Sequence, residues 1–140
     1  MSSRSLVVKV TAGKDDPERC NQAFTVAATA AASGVPVSLW LTGEAAWLAL
    51  PGRGGDVVLP HAMPLGDLLS GVLPAGTVTV CSQCAARREI TEQDLLDGVK
   101  IAGAATFVAE ALADGAQALV YWPGRALSLP AAARDSRRAR

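Results

Sequence analysis

The sequence predicts a three-layer α/β/α domain around a five-stranded, mainly parallel sheet. Three observations predict it. Short, largely β-branched apolar runs alternate along the chain with segments of helical character. Most of these runs are continuously apolar, as expected of strands covered on both faces. Apolar residues make up 50% of the 140-residue chain, enough for one full core.

The first run, Leu6 to Val10, leads into a loop from Thr11 to Arg19 that contains Gly13, Asp15 and Asp16. Asp16 supplies an N-cap, Pro17 a first-turn proline and Glu18 a first-turn acid for a helix reaching Ser33 and closed by Gly34. Val35 to Leu41 is the second strand. A short helix follows from Gly43 to Leu50, stopped by Pro51-Gly52. Val57 to Leu59 is expected as the third strand. A helix from Pro64 to Leu73 ends at Pro74. Thr77 to Cys81 is the fourth strand, and the residues after it favour a helix. Thr91 caps a further short helix to Leu96. Gly103 to Leu112 places Phe107, Val108, Ala111 and Leu112 at helical spacing before Asp114-Gly115 stops it. Ala118 to Trp122 is the fifth strand. The alternation implies parallel βαβ units with right-handed crossovers, in a domain of flavodoxin-like size. One domain is expected over residues 1–128. Residues 129–140, with Arg134, Arg137, Arg138 and Arg140, read as a disordered basic tail.

Thirteen basic residues balance 13 acidic ones. No net field draws the chain to nucleic acid or to an anionic membrane. The longest apolar stretch, Ala23 to Ala32, is interrupted by Thr25 and Thr29 and is too short to span a bilayer. No signal peptide is visible. Three cysteines is an odd count, which favours free thiols in a reducing compartment, the cytoplasm. The apolar fraction is high for a small monomer and reads either as surface buried between subunits or as an alanine-rich composition with nothing further to bury.

In open parallel sheets, reactive groups gather at the carboxyl ends of the strands. Three segments meet there: Thr11 to Arg19, Thr42-Gly43-Glu44, and Cys81 to Glu89. The third is the most informative. Cys81 stands where a strand stops and a helix begins, facing free backbone N–H groups. That setting lowers a thiol pKa and favours the nucleophilic thiolate. Arg87 and Arg88 bring positive charge six and seven residues on. Cys84 completes a CxxC and shares a helical face with Cys81. The plain alternative is a pair of small residues packed beneath a helix.

Other candidates carry less. Cys20 lies early in the first helix, at the same end of the sheet, and reads as a resolving thiol or as a small core residue. His61 is the sole histidine, and only the CxxC half of a Cys₃His zinc set has the expected spacing, so no metal is assigned. Asp15, Asp16, Glu18 and Glu44 read as caps or solvated groups before acid-base catalysts. The Gly13 loop lacks GxGxxG and the Walker pattern, so no nucleotide cofactor is expected. Trp40, Trp47 and Trp122 read as core or interface anchors.

Taken together, Gly13, Asp16-Pro17, the Ala27 to Ala32 helix, the strand-ending Cys81 and Arg87-Arg88 resemble the DsrE/DsrF-like sulfur-relay family. That family includes the TusD-type sulfur carriers of thiouridine synthesis. Leu95 to Ala104 is similar to the stretch before the family's last helix. The resemblance runs from about Leu6 to Trp122. It implies that Cys81 occupies the persulfide-carrying position; Cys84, Arg87 and Arg88 stand with it as catalytic candidates, and Gly13, Asp16, Cys20 and Gly43 as supporting ones. It also implies assembly into homotrimers or hexamers, or heteromers with related chains, and donor and acceptor proteins for the sulfur; no cofactor is expected. Two residues depart from the family pattern. Cys84 replaces a small apolar residue, and Glu89 stands where glycine commonly follows the two arginines.

The residues leave three functions open. One is a thiol-based sulfur carrier or sulfurtransferase using Cys81. Another is a thiol–disulfide redox protein using Cys81 and Cys84. The last is a non-catalytic oligomeric binding module.

Overall fold

In the computed structural model, which describes residues 3–124, five strands form one sheet. They are β1 (Ser5–Val10), β2 (Val37–Leu41), β3 (Thr77–Cys81), β4 (Val99–Ala102) and β5 (Ala116–Tyr121). Their order is β4-β3-β2-β1-β5, and every pairing is parallel. The helices are α1 (Pro17–Ala32), α2 (Leu65–Val72), α3 (Ser82–Arg87) and α4 (Ala104–Ala111). The expected basic tail lies outside the described residues.

The chain steps in one direction from β1 to β4, then crosses back past β1 to β5. Right-handed crossovers put the first three connections on one face and the last on the other. Accordingly α1 and α2 pack together over one face, where Ala85 of α3 joins the same core. Among the described residues the other face is covered by α4 alone, through Phe107 set edge-on to Trp40 with ring centroids 5.4 Å apart.

The first helix shows how the sequence makes its element. The Asp16 side chain accepts from the Arg19 backbone N–H at 3.2 Å, and Pro17 needs no partner at the first position. Cys20, Ala23, Phe24, Ala27 and Ala31 recur at helical spacing and are all buried. The alanines let the helix approach the sheet closely, and Phe24 fills the space between. Truncating Phe24 to alanine would cost about 3–5 kcal/mol.

Strand register separates the two faces. Val8 and Val10 pair in register with Leu39 and Leu41, and these with Val78 and Val80, on the α1–α2 side. One row on the opposite side runs Val120, Lys9, Trp40, Thr79, Lys100. Cys81, two residues beyond Thr79, belongs to that face by the period of a strand.

Three expectations need correction. Val57 to Leu59 is no strand: a 3-10 turn (Gly54–Asp56) precedes it, Val57 is buried and Val58 is 75% exposed. Three residues between a glycine-rich loop and Pro60 are too few to dock on a sheet edge. The missing strand is β4, Val-Lys-Ile-Ala, which has an exposed lysine in its middle. The helix expected from Gly43 to Leu50 is a 3-10 segment, Gly43–Ala49, and that expected from Thr91 to Leu96 shortens to a 3-10 turn, Glu92–Asp94. A capping box between Thr91 and Asp94 holds the latter.

Candidate functional site

β3 delivers Cys81 to the carboxyl edge of the sheet, where it becomes the N-cap of α3. Its backbone is extended, and the chain turns helical at Ser82. The free backbone N–H groups of Gln83 and Cys84 at this helix start favour the Cys81 thiolate, although neither closes a side-chain cap hydrogen bond. Cys81 is half-buried. Burial, the largest single influence, pushes its pKa up. The N–H groups of Cys84 and Gln83, the Cys84 side chain and the Lys9 charge together outweigh burial and hold the thiol below its ordinary value.

Cys84 lies one turn on, at the third position of α3, and its thiol helps to lower the Cys81 pKa. Its own sulfur accepts the Gly43 N–H at 3.2 Å. Arg88 donates to the Cys84 carbonyl at 3.2 Å and to Glu44 at 3.1 Å. The segment that opens with Gly43-Glu44 is thus tied to α3 twice, once through a sulfur and once through a guanidinium.

Two glycines make these approaches possible. Gly43 has φ +52°, and a Cβ there would stand 2.9 Å from the Thr11 carbonyl oxygen. A Cβ on Gly13 would sit 2.7 Å from the Glu44 carbonyl carbon and oxygen. The loops after β1 and β2 are pressed backbone to backbone, leaving no room for side chains between them.

The other expected residues are placed as follows. Arg88 is committed to Glu44 and Cys84, and Arg87 is exposed; the charge acting on Cys81 comes from Lys9 instead. Asp16 accepts from the backbone N–H groups of Gly124 and Arg19, and its carboxyl is held below the usual range, chiefly by the Gly124 hydrogen bond. Asp16 therefore fastens the loop after β1 to the segment after β5. Cys20 is fully buried in the core. Burial, with a smaller contribution from Asp15 and Asp16, pushes its thiol up to about 12. Its environment is that of an inert packing residue, which corrects the expectation of a supporting thiol. Among the described residues no three His, Cys, Asp or Glu side chains gather as a metal ion would need.

Sequence reasoning missed Lys9. A lysine inside Leu-Val-Val-Lys-Val is the one charge in an apolar strand, and that was the available signal. Lys9 also lies over the Phe107 ring, 5.0 Å from its centroid. A cavity of about 630 Å³ lies elsewhere, between α2 and the loops around Leu50, Val57 and Met63. It shares no residue with the thiol cluster, and its lining holds no ionisable side chain.

A family model described as "DsrE/DsrF-like family" matches residues 4–121. The uncharacterised protein MJ0760 of Methanocaldococcus jannaschii is 34% identical over 99 residues, which is 70% of this chain and 36% of that protein. The chain thus spans about a third of the curated relative it matches. The crystal structure of the ychN protein from E. coli superposes with a TM-score of 0.68 at 19% identity, covering 86% of this chain and all of that one (100%). The protein of unknown function MTH1491 from Methanobacterium thermoautotrophicum gives 0.59 at 14% identity, covering 85% and 99%. At those identities the two structures speak to the fold.

Proposed function

The chain belongs to the DsrE/DsrF-like family, and from that premise we propose that it is a sulfur carrier working through Cys81. The observation that carries the reading is the Cys81 sulfur itself: half-buried at the sheet edge, it caps the first turn of α3 and has a lowered pKa, to which the Cys84 and Gln83 N–H groups contribute. A thiolate held by fixed N–H donors is a nucleophile at neutral pH. It attacks the outer, sulfane sulfur of a donor persulfide. The donor's S–S bond breaks, the donor leaves as a thiolate, and Cys81 keeps the sulfur as Cys81–S–SH. The same N–H groups remain to stabilise the persulfide anion. An acceptor thiolate then takes the outer sulfur and Cys81 leaves as thiolate.

Mass spectrometry of the intact protein tests this. After incubation with a small-molecule persulfide, the chain should gain one sulfur atom, mapped to Cys81, and Cys81→Ser should gain none there. A wild-type chain that neither takes up sulfur nor releases it as sulfide would refute the proposal.

Assembly is the second part of the reading. Val108, Leu112, Val120 and Trp122 are all exposed, Leu112 at 79% and Trp122 at 63%. They belong to α4, β5 and the residue after it, on the layer that a single helix covers. We assign this apolar surface to contacts between copies, in keeping with the homotrimer or homohexamer that the resemblance implies. Free thiols suit a reducing compartment such as the cytoplasm. No helix among the described residues is long and apolar enough to cross a membrane. Donor and acceptor are proteins or small molecules that present a sulfane sulfur or a thiol.

A further inference from the structure

We infer that Cys84 resolves the Cys81 persulfide, so that the chain releases its cargo as hydrosulfide unless an acceptor takes the sulfur first. The inference rests on the carrier reading and adds a second outcome to it. Three observations support it. Cys84 is the third residue of the helix that Cys81 caps, and its thiol favours the Cys81 thiolate. Its position is fixed from behind, since Gly43 N–H reaches the Cys84 sulfur and Arg88 reaches the Cys84 carbonyl. Cys81 as N-cap and Cys84 as third helical residue have the spacing at which an N-cap side chain meets the first turn, so the two sulfurs can bond without moving the backbone far.

The chemistry balances without an added oxidant. In Cys81–S–S⁻ the inner sulfur is electrophilic. The Cys84 sulfur attacks it, the Cys81–Cys84 disulfide forms, and the bond between Cys81 and the outer sulfur breaks. Two electrons from Cys84 end on the departing sulfur, and the Cys84 proton goes with it as HS⁻. Gly43 N–H stabilises negative charge building on Cys84 as its proton leaves. The product disulfide is reopened by an external dithiol, which restores both thiols.

The geometry also sets a competition. An acceptor must attack the exposed outer sulfur before Cys84 reaches the inner one. The chain therefore delivers sulfane sulfur when a partner is docked and sulfide when none is.

Anaerobic single-turnover loading tests the inference. The full chain is charged with a small-molecule persulfide, freed of excess by gel filtration, and followed by intact mass and sulfide assay. Wild type should shed the added sulfur, release one sulfide per chain and end two hydrogens lighter than the reduced protein. Peptide mapping should place the new bond between Cys81 and Cys84. Cys84→Ser should hold its sulfur about tenfold longer or more, because an intramolecular attack has been removed. If wild type keeps its sulfur as long as Cys84→Ser, or the bond maps elsewhere, the resolving role is overturned while the carrier reading stands. If neither chain takes up sulfur, the carrier reading fails and this inference with it.

Discussion

The Gly43 N–H donates to the Cys84 sulfur at 3.2 Å, across 41 residues of sequence. This contact joins the loop after β2 to the helix after β3, and it exists only because Gly43 can hold φ +52° against the Thr11 carbonyl. Gly43→Ala should therefore destabilise the chain by about 1–3 kcal/mol, the cost of a left-handed non-glycine residue, with crowding at Thr11 added. Urea unfolding measures it. An unchanged midpoint would mean that the loop relaxes freely and that the sulfur contact does not constrain it.

Lys9 should tune Cys81. Its charge favours the thiolate, so the pH profile of Cys81 alkylation should have its midpoint below the ordinary thiol value and move upward in Lys9→Gln. At neutral pH the rate should fall by a factor of about two to three, and less at high salt because the charge acts partly through solvent. Profiles that coincide would show the backbone N–H groups to be sufficient.

Arg88 and Glu44 should contribute unequally. Their 3.1 Å pair is partly exposed on the glutamate side, so Glu44→Gln should cost under about 1 kcal/mol. Arg88→Ala also removes the bond to the Cys84 carbonyl and should cost about 1–3 kcal/mol. Denaturant midpoints of the two variants decide the order, and equal losses would reduce Arg88 to its ion pair.

Leu112→Lys paired with Trp122→Glu should lower the assembled mass in sedimentation while leaving the folded signal intact, because both side chains are exposed in the single chain. An unchanged mass would move the interface to another surface.

The architecture was legible because α1, β1, β2 and β3 each carry a period and a boundary that agree. Asp16-Pro17, Gly34 and the β-branched runs all point the same way. Cys81 was legible for the same reason: a strand that stops at a thiol puts that thiol at the sheet edge. Where local and tertiary signals part, the reading failed. Val57 to Leu59 looks like a strand by composition, but glycines and Pro60 bound it and its edge position belongs to Lys100's strand. Arg88 looked like the charge beside the sulfur, and Glu44, distant in sequence, drew it away. Lys9 became relevant only once strand order set β1 beside β2 with β3 beyond, and order is a property of crossovers rather than of any one segment.

Cys20 supplies the sign of the alkaline response. Unfolded, its thiol ionises near 9.0; folded, burial holds it up to about 12. A folded pKa above the unfolded one gives stability that is whole below pH 9 and lost as pH climbs towards 12. The full interval is worth about 4 kcal/mol, an upper bound since other groups titrate there too. Cys81 acts in the opposite sense, because its folded pKa lies below the ordinary value. Its contribution grows as pH rises towards 9 and is constant beyond, so of these two thiols only Cys20 shapes the slope above that pH. Cys20→Ala should be less stable at pH 7 by about 1 kcal/mol through lost packing. Its stability should nevertheless fall more gently between pH 9 and 11 than that of wild type. Urea midpoints at a series of alkaline pH values give both slopes, and parallel lines would mean that Cys20 meets water in the folded chain.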